Sequence, residues 1–168
     1  MQFEKEHAGK AAKFLLLLIG FYIILTLFFR FVFSIQLIEL WTAQITLKIF
    51  ETLGYSGKII AQTPVQIVFP FITVLITELC TGLLEFSIVA SAVLATTEVS
   101  WKKRIIGFIG AGIVTILFNF ARISFVLLAF INSGIQQAEL AHDLLFRISL
   151  LFVIVGYYAL WFYLSVKK

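Results

Sequence analysis

The chain contains a single cysteine, Cys80, in the stretch Thr77-Glu-Leu-Cys-Thr-Gly, and two further residues whose chemistry would suit it, Arg122 and His142. A thiol with a reference pKa of about 8.5 is mostly protonated at neutral pH, and a neighbouring cation favours the nucleophilic thiolate. Arg122 or protonated His142 would supply that charge. An imidazole titrating near neutrality would also protonate a leaving amine and then activate an incoming nucleophile. A guanidinium, permanently charged, is better suited to hold a developing oxyanion or a substrate carbonyl than to move protons. Together the three types form a set for acyl transfer. Read alone, each has a plainer role: Cys80 as a small apolar filler, Arg122 as a cation snorkelling from the end of a span, His142 as a solvated loop residue. The case for chemistry depends on the elements that would bring them to one place.

Composition constrains those elements. With 61% hydrophobic and 13% charged residues over 168 positions and a mean hydropathy of +1.06, the chain is too apolar for a soluble globular domain. It reads as an integral membrane protein. The length suits one membrane domain over residues 1–168, a bundle of spans that each need about 20 apolar residues to cross roughly 30 Å of hydrocarbon. The net charge of +4 could suggest nucleic acid, but most Lys and Arg lie beside hydrophobic runs rather than on a basic face with interleaved aromatics. Membrane orientation explains them more simply. One cysteine excludes an intrachain disulfide, and arrays of Cys and His that would bind metal are absent, so no metal or organic cofactor is expected.

The fold expected is an all-α membrane bundle of about four transmembrane helices, with an amphipathic helix and a short extracytoplasmic β-rich segment. Residues 14–33 have spanning length and follow Lys5, Lys10 and Lys13, which marks an uncleaved anchor whose start is cytoplasmic. In residues 34–53, Gln36, Glu39, Gln44, Lys48 and Glu51 interrupt apolar residues at roughly helical spacing, the pattern of a helix lying on the surface or packed on the bundle. From Ile59 to Thr77, eleven of nineteen residues are Val, Ile or Thr and two are proline. Short strands are expected there, such as a hairpin on the outer side; a further pair of spans across 34–78 is the alternative. Spans follow at 79–97, 105–131 and 144–166, with an outer loop at 132–143. Lys102, Lys103 and Arg104, and the terminal Lys167-Lys168, place both termini on the cytoplasmic side. Arg30 and Arg147 read as snorkelling cations.

This topology predicts one depth for the three candidates. Cys80 falls at the outer mouth of its span, and Arg122, seventeen residues past Ile105, lies about 26 Å along its helix at 1.5 Å per residue. His142 comes just before the last span, again outside. Because intramembrane ionisable residues are costly, their coincidence in depth favours function. Asn119, three residues before Arg122, shares its helix face and would orient the guanidinium. Glu78 is a candidate partner for Arg122 or His142, and Gly82 would permit close approach of backbone or substrate. Ser87 and Ser91 recur at helical spacing and read as a packing seam.

At "ELCTGLLEFS" (78–87), "NFAR" (119–122) and "AHDLLF" (141–146) the chain resembles the exosortase/archaeosortase family of membrane-embedded cysteine transpeptidases. The three motifs occur in that order, each at the outer end of an expected span. The resemblance implies an enzyme of the plasma membrane with its site at the extracytoplasmic face. Substrates would be exported proteins whose C-terminal sorting signal combines a short motif, a hydrophobic helix and a basic tail. The product would pass to a lipid or other envelope acceptor. The family's cysteine, arginine and histidine positions map to Cys80, Arg122 and His142. The chain is short, without the extra N-terminal spans of large members. Two other readings remain at this stage: a purely hydrolytic membrane protease, and a non-enzymatic transport or assembly subunit in which Arg122 and His142 line a polar path.

Overall fold

Helix α1, Gln2–Val32, opens the chain, and its apolar stretch Ala8–Val32 is long enough to cross a bilayer. The computed structural model describes residues 2–167. Met1 and Lys168, the two ends of the expected basic flanks, lie outside the described residues. Ser34 caps α2, Ile35–Thr52, by accepting the Leu37 N–H at 3.1 Å, which satisfies one of the donors a helix start leaves free. Glu39, Thr42, Ala43, Thr46 and Phe50 are buried along one stripe of α2, so Glu39, one of the polar residues that interrupt the apolar pattern, lies inside, while Leu37, Trp41 and Ile45 stay exposed. That stripe packs on a sheet, so the alternative of two further spans across 34–78 is set aside.

The sheet has three antiparallel strands in the order β1 (Lys58–Ile60), β2 (Val65–Val68) and β3 (Thr73–Ile76). It extends the expected hairpin by one strand. β2 alternates buried Val65 and Ile67 with half-buried Gln66 and Val68, the period-two signature of a strand with one face against a core. These side chains join Phe50 of α2, Ile76 of β3, and Ile123 and Leu127 of the long helix α4, Trp101–Ser133, in one hydrophobic cluster. The sheet is thereby fixed against the segment of α4 that carries Arg122.

The expected span over 79–97 is corrected. Glu78–Cys80 forms a 3₁₀ turn, Gly82 adopts a left-handed backbone (φ 74°), and α3 runs only from Leu83 to Ala95. Thirteen residues advance about 20 Å, short of the hydrocarbon thickness. Among the described residues, three helical runs have spanning length and apolarity: Ala8–Val32, Trp101–Ser133 and Ile135–Val166. Arg104 closes the far end of α3 by donating to the Leu94, Thr97 and Val99 carbonyls at 2.8 to 3.2 Å. A cation read as an orientation signal is thus also a helix cap.

The outer loop expected at 132–143 is corrected too. α4 continues to Ser133, the chain turns at Gly134 (φ 83°), and α5 occupies Ile135–Ser149. A π-helical stretch, Leu150–Tyr157, leads into α6, Tyr158–Val166. The polar residues of "NSGIQQAELAHD" are compatible with a helix because only Gly134 in it breaks one, and Ala138 faces inward while its neighbours stay exposed. α6 returns beside the start of α4. There Trp161 Nε1 donates to the Lys103 carbonyl at 3.2 Å and Tyr157 Oη to the Gly107 carbonyl at 2.7 Å. A Cβ on Gly107 would collide with the Trp161 indole, so the close approach requires glycine at that position.

Candidate active site

Cys80 ends the 3₁₀ turn between β3 and α3 and is half-buried. Its Sγ lies 3.7 Å from Thr77 Oγ1 and 4.0 Å from the Leu75 carbonyl oxygen. The turn is built from local polar bonds: Cys80 N–H donates to the Thr77 carbonyl at 2.8 Å, and Thr81 Oγ1 to the Glu78 carbonyl at 2.6 Å. Thr81 Oγ1 in turn accepts the N–H of Leu83, the first residue of α3, at 3.3 Å.

Helix α4 holds this turn from the other side. Asn119 Nδ2 donates to the Cys80 carbonyl at 2.7 Å. Arg122 Nη2 donates to the Leu79 carbonyl at 2.7 Å and to Asn119 Oδ1 at 3.0 Å, while Nη1 meets Glu85 Oε1 at 3.0 Å. Arg122 and Glu85 form a buried ion pair, both side chains 6% exposed. Two residues one helical turn apart on α4 thus bind the carbonyls on either side of the cysteine's peptide unit and bind each other. The approach is close enough that a Cβ on Gly82 would lie 3.2 Å from Asn119 Cβ. Glycine at 82 therefore meets two demands, the positive φ and the contact.

His142, on α5, is more than half exposed, with Nδ1 3.5 Å from Asp143 Oδ1. Its ring stacks on Phe146, one turn along, with centroids 6.5 Å apart. The other side of the connection is a cation–π contact, Arg122 Cζ lying 5.3 Å from the Phe146 ring centroid. Arg122 and Cys80 are therefore joined through one peptide carbonyl and one amide side chain, and His142 reaches Arg122 through one ring. His142 also lines a groove of about 450 Å³ between β3 and the α4–α5 corner, whose walls include Thr73, Val74, Leu127 and Phe130. Cys80 meets the same strand at Leu75.

The geometry reassigns two expectations. The carboxylate paired with Arg122 is Glu85; Glu78 is exposed and lines a different recess with Tyr22 and Arg30. Glu78 acts instead on Glu39 of α2. The Glu39 carboxyl is raised above its ordinary value by burial, an effect opposed by the Val65 backbone hydrogen bond and reinforced by the Glu78 charge. The guanidinium of Arg122 binds the protein's own groups, so in this geometry it positions the cysteine turn. The missed residues are Glu85 and Phe146. Glu85 carried a signal, because a carboxylate inside an apolar helix needs a partner. Ser87 and Ser91 are buried, with Ser91 Oγ donating to the Ser87 carbonyl at 2.5 Å, as a packing seam would place them.

A family model described as transmembrane exosortase matches residues 6–161. No curated protein and no solved structure matches the chain.

Proposed function

The chain belongs to the transmembrane exosortase family, a membrane location and a transpeptidase-type function follow from that, and on this premise we propose that Cys80 is the nucleophile of a Cys-Arg-His site. The Cys80 thiolate attacks the scissile carbonyl carbon of an exported substrate protein, near the motif that precedes a hydrophobic helix and basic tail. The tetrahedral adduct collapses as the C–N bond breaks, and His142 gives its proton to the departing amine. An acyl-thioester on Cys80 remains. His142 then accepts a proton from the acceptor nucleophile, a lipid or other envelope group, whose attack releases the product and restores the thiolate. Arg122 holds the nucleophile's turn through Leu79 and Asn119, with its own charge balanced by Glu85. The site operates at the extracytoplasmic boundary.

The observation that carries this reading is the clamp on the cysteine: the buried side chains of Asn119 and Arg122 donate part-buried hydrogen bonds to the carbonyls of Cys80 and Leu79. A small apolar filler would need no such fixing; a reacting group does. Replacing Cys80 by Ala is expected to stop substrate processing while membrane insertion is retained, and unprocessed precursor should accumulate. Undiminished processing would remove the assignment. Mass spectrometry of the mature C-terminus in the parent strain should show an added acceptor group, whereas a free carboxylate would mean hydrolysis.

A further inference from the structure

β3 is the edge of its sheet, and its register determines which backbone groups are free. The hairpin bond from Phe69 N–H to the Ile72 carbonyl, 2.8 Å, makes Phe69 and Ile72 a hydrogen-bonded pair. Hydrogen-bonded and non-bonded pairs alternate along an antiparallel ladder. The next pairs, Val68 with Thr73, Ile67 with Val74 and Gln66 with Leu75, therefore turn the N–H and C=O of Val74 toward β2 and those of Thr73 and Leu75 away from it. The Cys80 sulfur confirms the direction, since it meets the outward Leu75 carbonyl. Thr73 and Leu75 are both exposed, and among the described residues no further strand pairs with β3.

An edge with outward donors and acceptors is a template for an extended peptide, added at the strand spacing of about 4.8 Å. Here Thr73 and Val74 of that strand line the groove shared with His142, and Leu75, next along the edge, meets the thiol. We infer that the substrate polypeptide flanking the scissile bond binds as a fourth strand on β3, its main chain paired to Thr73 and Leu75, so that strand pairing delivers the scissile carbonyl to Cys80. Backbone pairing supplies affinity and carbonyl position; side chains at alternate substrate positions face the groove and supply selectivity. The occupant is the substrate itself, because the sulfur stands on the same edge. This inference rests on the catalytic reading of Cys80 above.

The chain's single cysteine makes a direct test available. In a Cys80→Ser background, cysteine is placed at Thr73 or at Leu75, which share one face of the strand. The probe is the precursor that accumulates when Cys80 is lost, carrying single cysteines at successive positions around the scissile bond. Strand addition predicts disulfide capture at alternate precursor positions, with the favoured position shifting by two residues between Thr73→Cys and Leu75→Cys. Capture without periodicity, the same position for both, or no capture overturns the inference while leaving the nucleophile intact. Leu75→Pro, with Cys80 restored, removes an outward N–H without touching the ladder and should slow processing at least about tenfold. Val68→Thr, on β2, serves as a control for sheet integrity and should process normally. If Cys80→Ala cells process substrate normally and no precursor accumulates, the catalytic reading falls, and strand addition falls with it.

Discussion

At the scale of single residues, Arg122 is the most constrained side chain of the site. Its two terminal nitrogens serve three acceptors on three pieces of chain, Glu85 on α3, Leu79 in the cysteine turn and Asn119 on α4. A lysine keeps the charge but offers one compact ammonium without the planar fork. Arg122→Lys is therefore expected to insert normally and lose most processing, whereas a purely electrostatic role would leave much of it. Removing the buried counter-charge has a different consequence. Glu85→Ala leaves the guanidinium uncompensated and should destabilise the fold by about 3–5 kcal/mol, read as lowered thermal stability in detergent. Glu78→Ala, at the exposed carboxylate, should do far less. Both glutamates stand in "ELCTGLLEFS", and the sequence separates them only by Glu85's place inside the apolar run; which of them reaches Arg122 depends on the depth of the helix start. The residue types were legible; the Leu79 and Cys80 carbonyls that Arg122 and Asn119 bind have no side-chain signature at all.

At the scale of elements, the decisive feature is the break between β3 and α3. The apolar run from Leu79 onward looks continuous by hydropathy, yet the 3₁₀ turn and the left-handed Gly82 delay the helix by four residues. The delay sets Cys80 on a strand-to-helix turn instead of inside a helix, where its backbone can be clamped from outside. Gly82→Ala places a Cβ in the left-handed region, at roughly 1–2 kcal/mol, and presses it on Asn119, which must yield a few tenths of an ångström. The expected result is a modest loss of stability and a larger loss of processing, since Asn119 is the donor to the Cys80 carbonyl. Equal losses in both would make Gly82 merely structural. The same scale explains the other miss. Polarity alone places His142 in a loop, but a polar exposed helix has the same composition, and only its continuation into the last apolar run marks it as helical. The helix α2 and the strands were readable because helical spacing and period-two alternation are local patterns, whereas the face α2 buries, with Glu39 inside and Trp41 outside, and the pairing of α4 with the cysteine turn, between residues 39 and 43 apart, depend on the tertiary arrangement.

At the scale of the whole molecule, α4 acts as a ruler. Its start carries Lys102, Lys103 and Arg104, and α6 returns there, with Lys103 Nζ donating to the Ser165 carbonyl at 2.6 Å. Arg122 stands eighteen residues beyond Arg104, about 27 Å at 1.5 Å per residue, and the cysteine turn is bonded at that height. One end of the bundle is therefore basic and the other holds the thiol, separated by about a hydrocarbon thickness. By the positive-inside rule the basic end is expected to face the cytoplasm, and under the proposed function the thiol would then face outward, toward exported substrates. In intact cells a membrane-impermeant maleimide should label Cys80 and fail to label a Cys80→Ser chain. With Glu98→Cys as the sole cysteine, at an exposed position near the basic end, labelling should require permeabilisation. The reverse pattern would put the thiol on the cytoplasmic side, out of reach of a substrate already exported, and the orientation would have to be inverted.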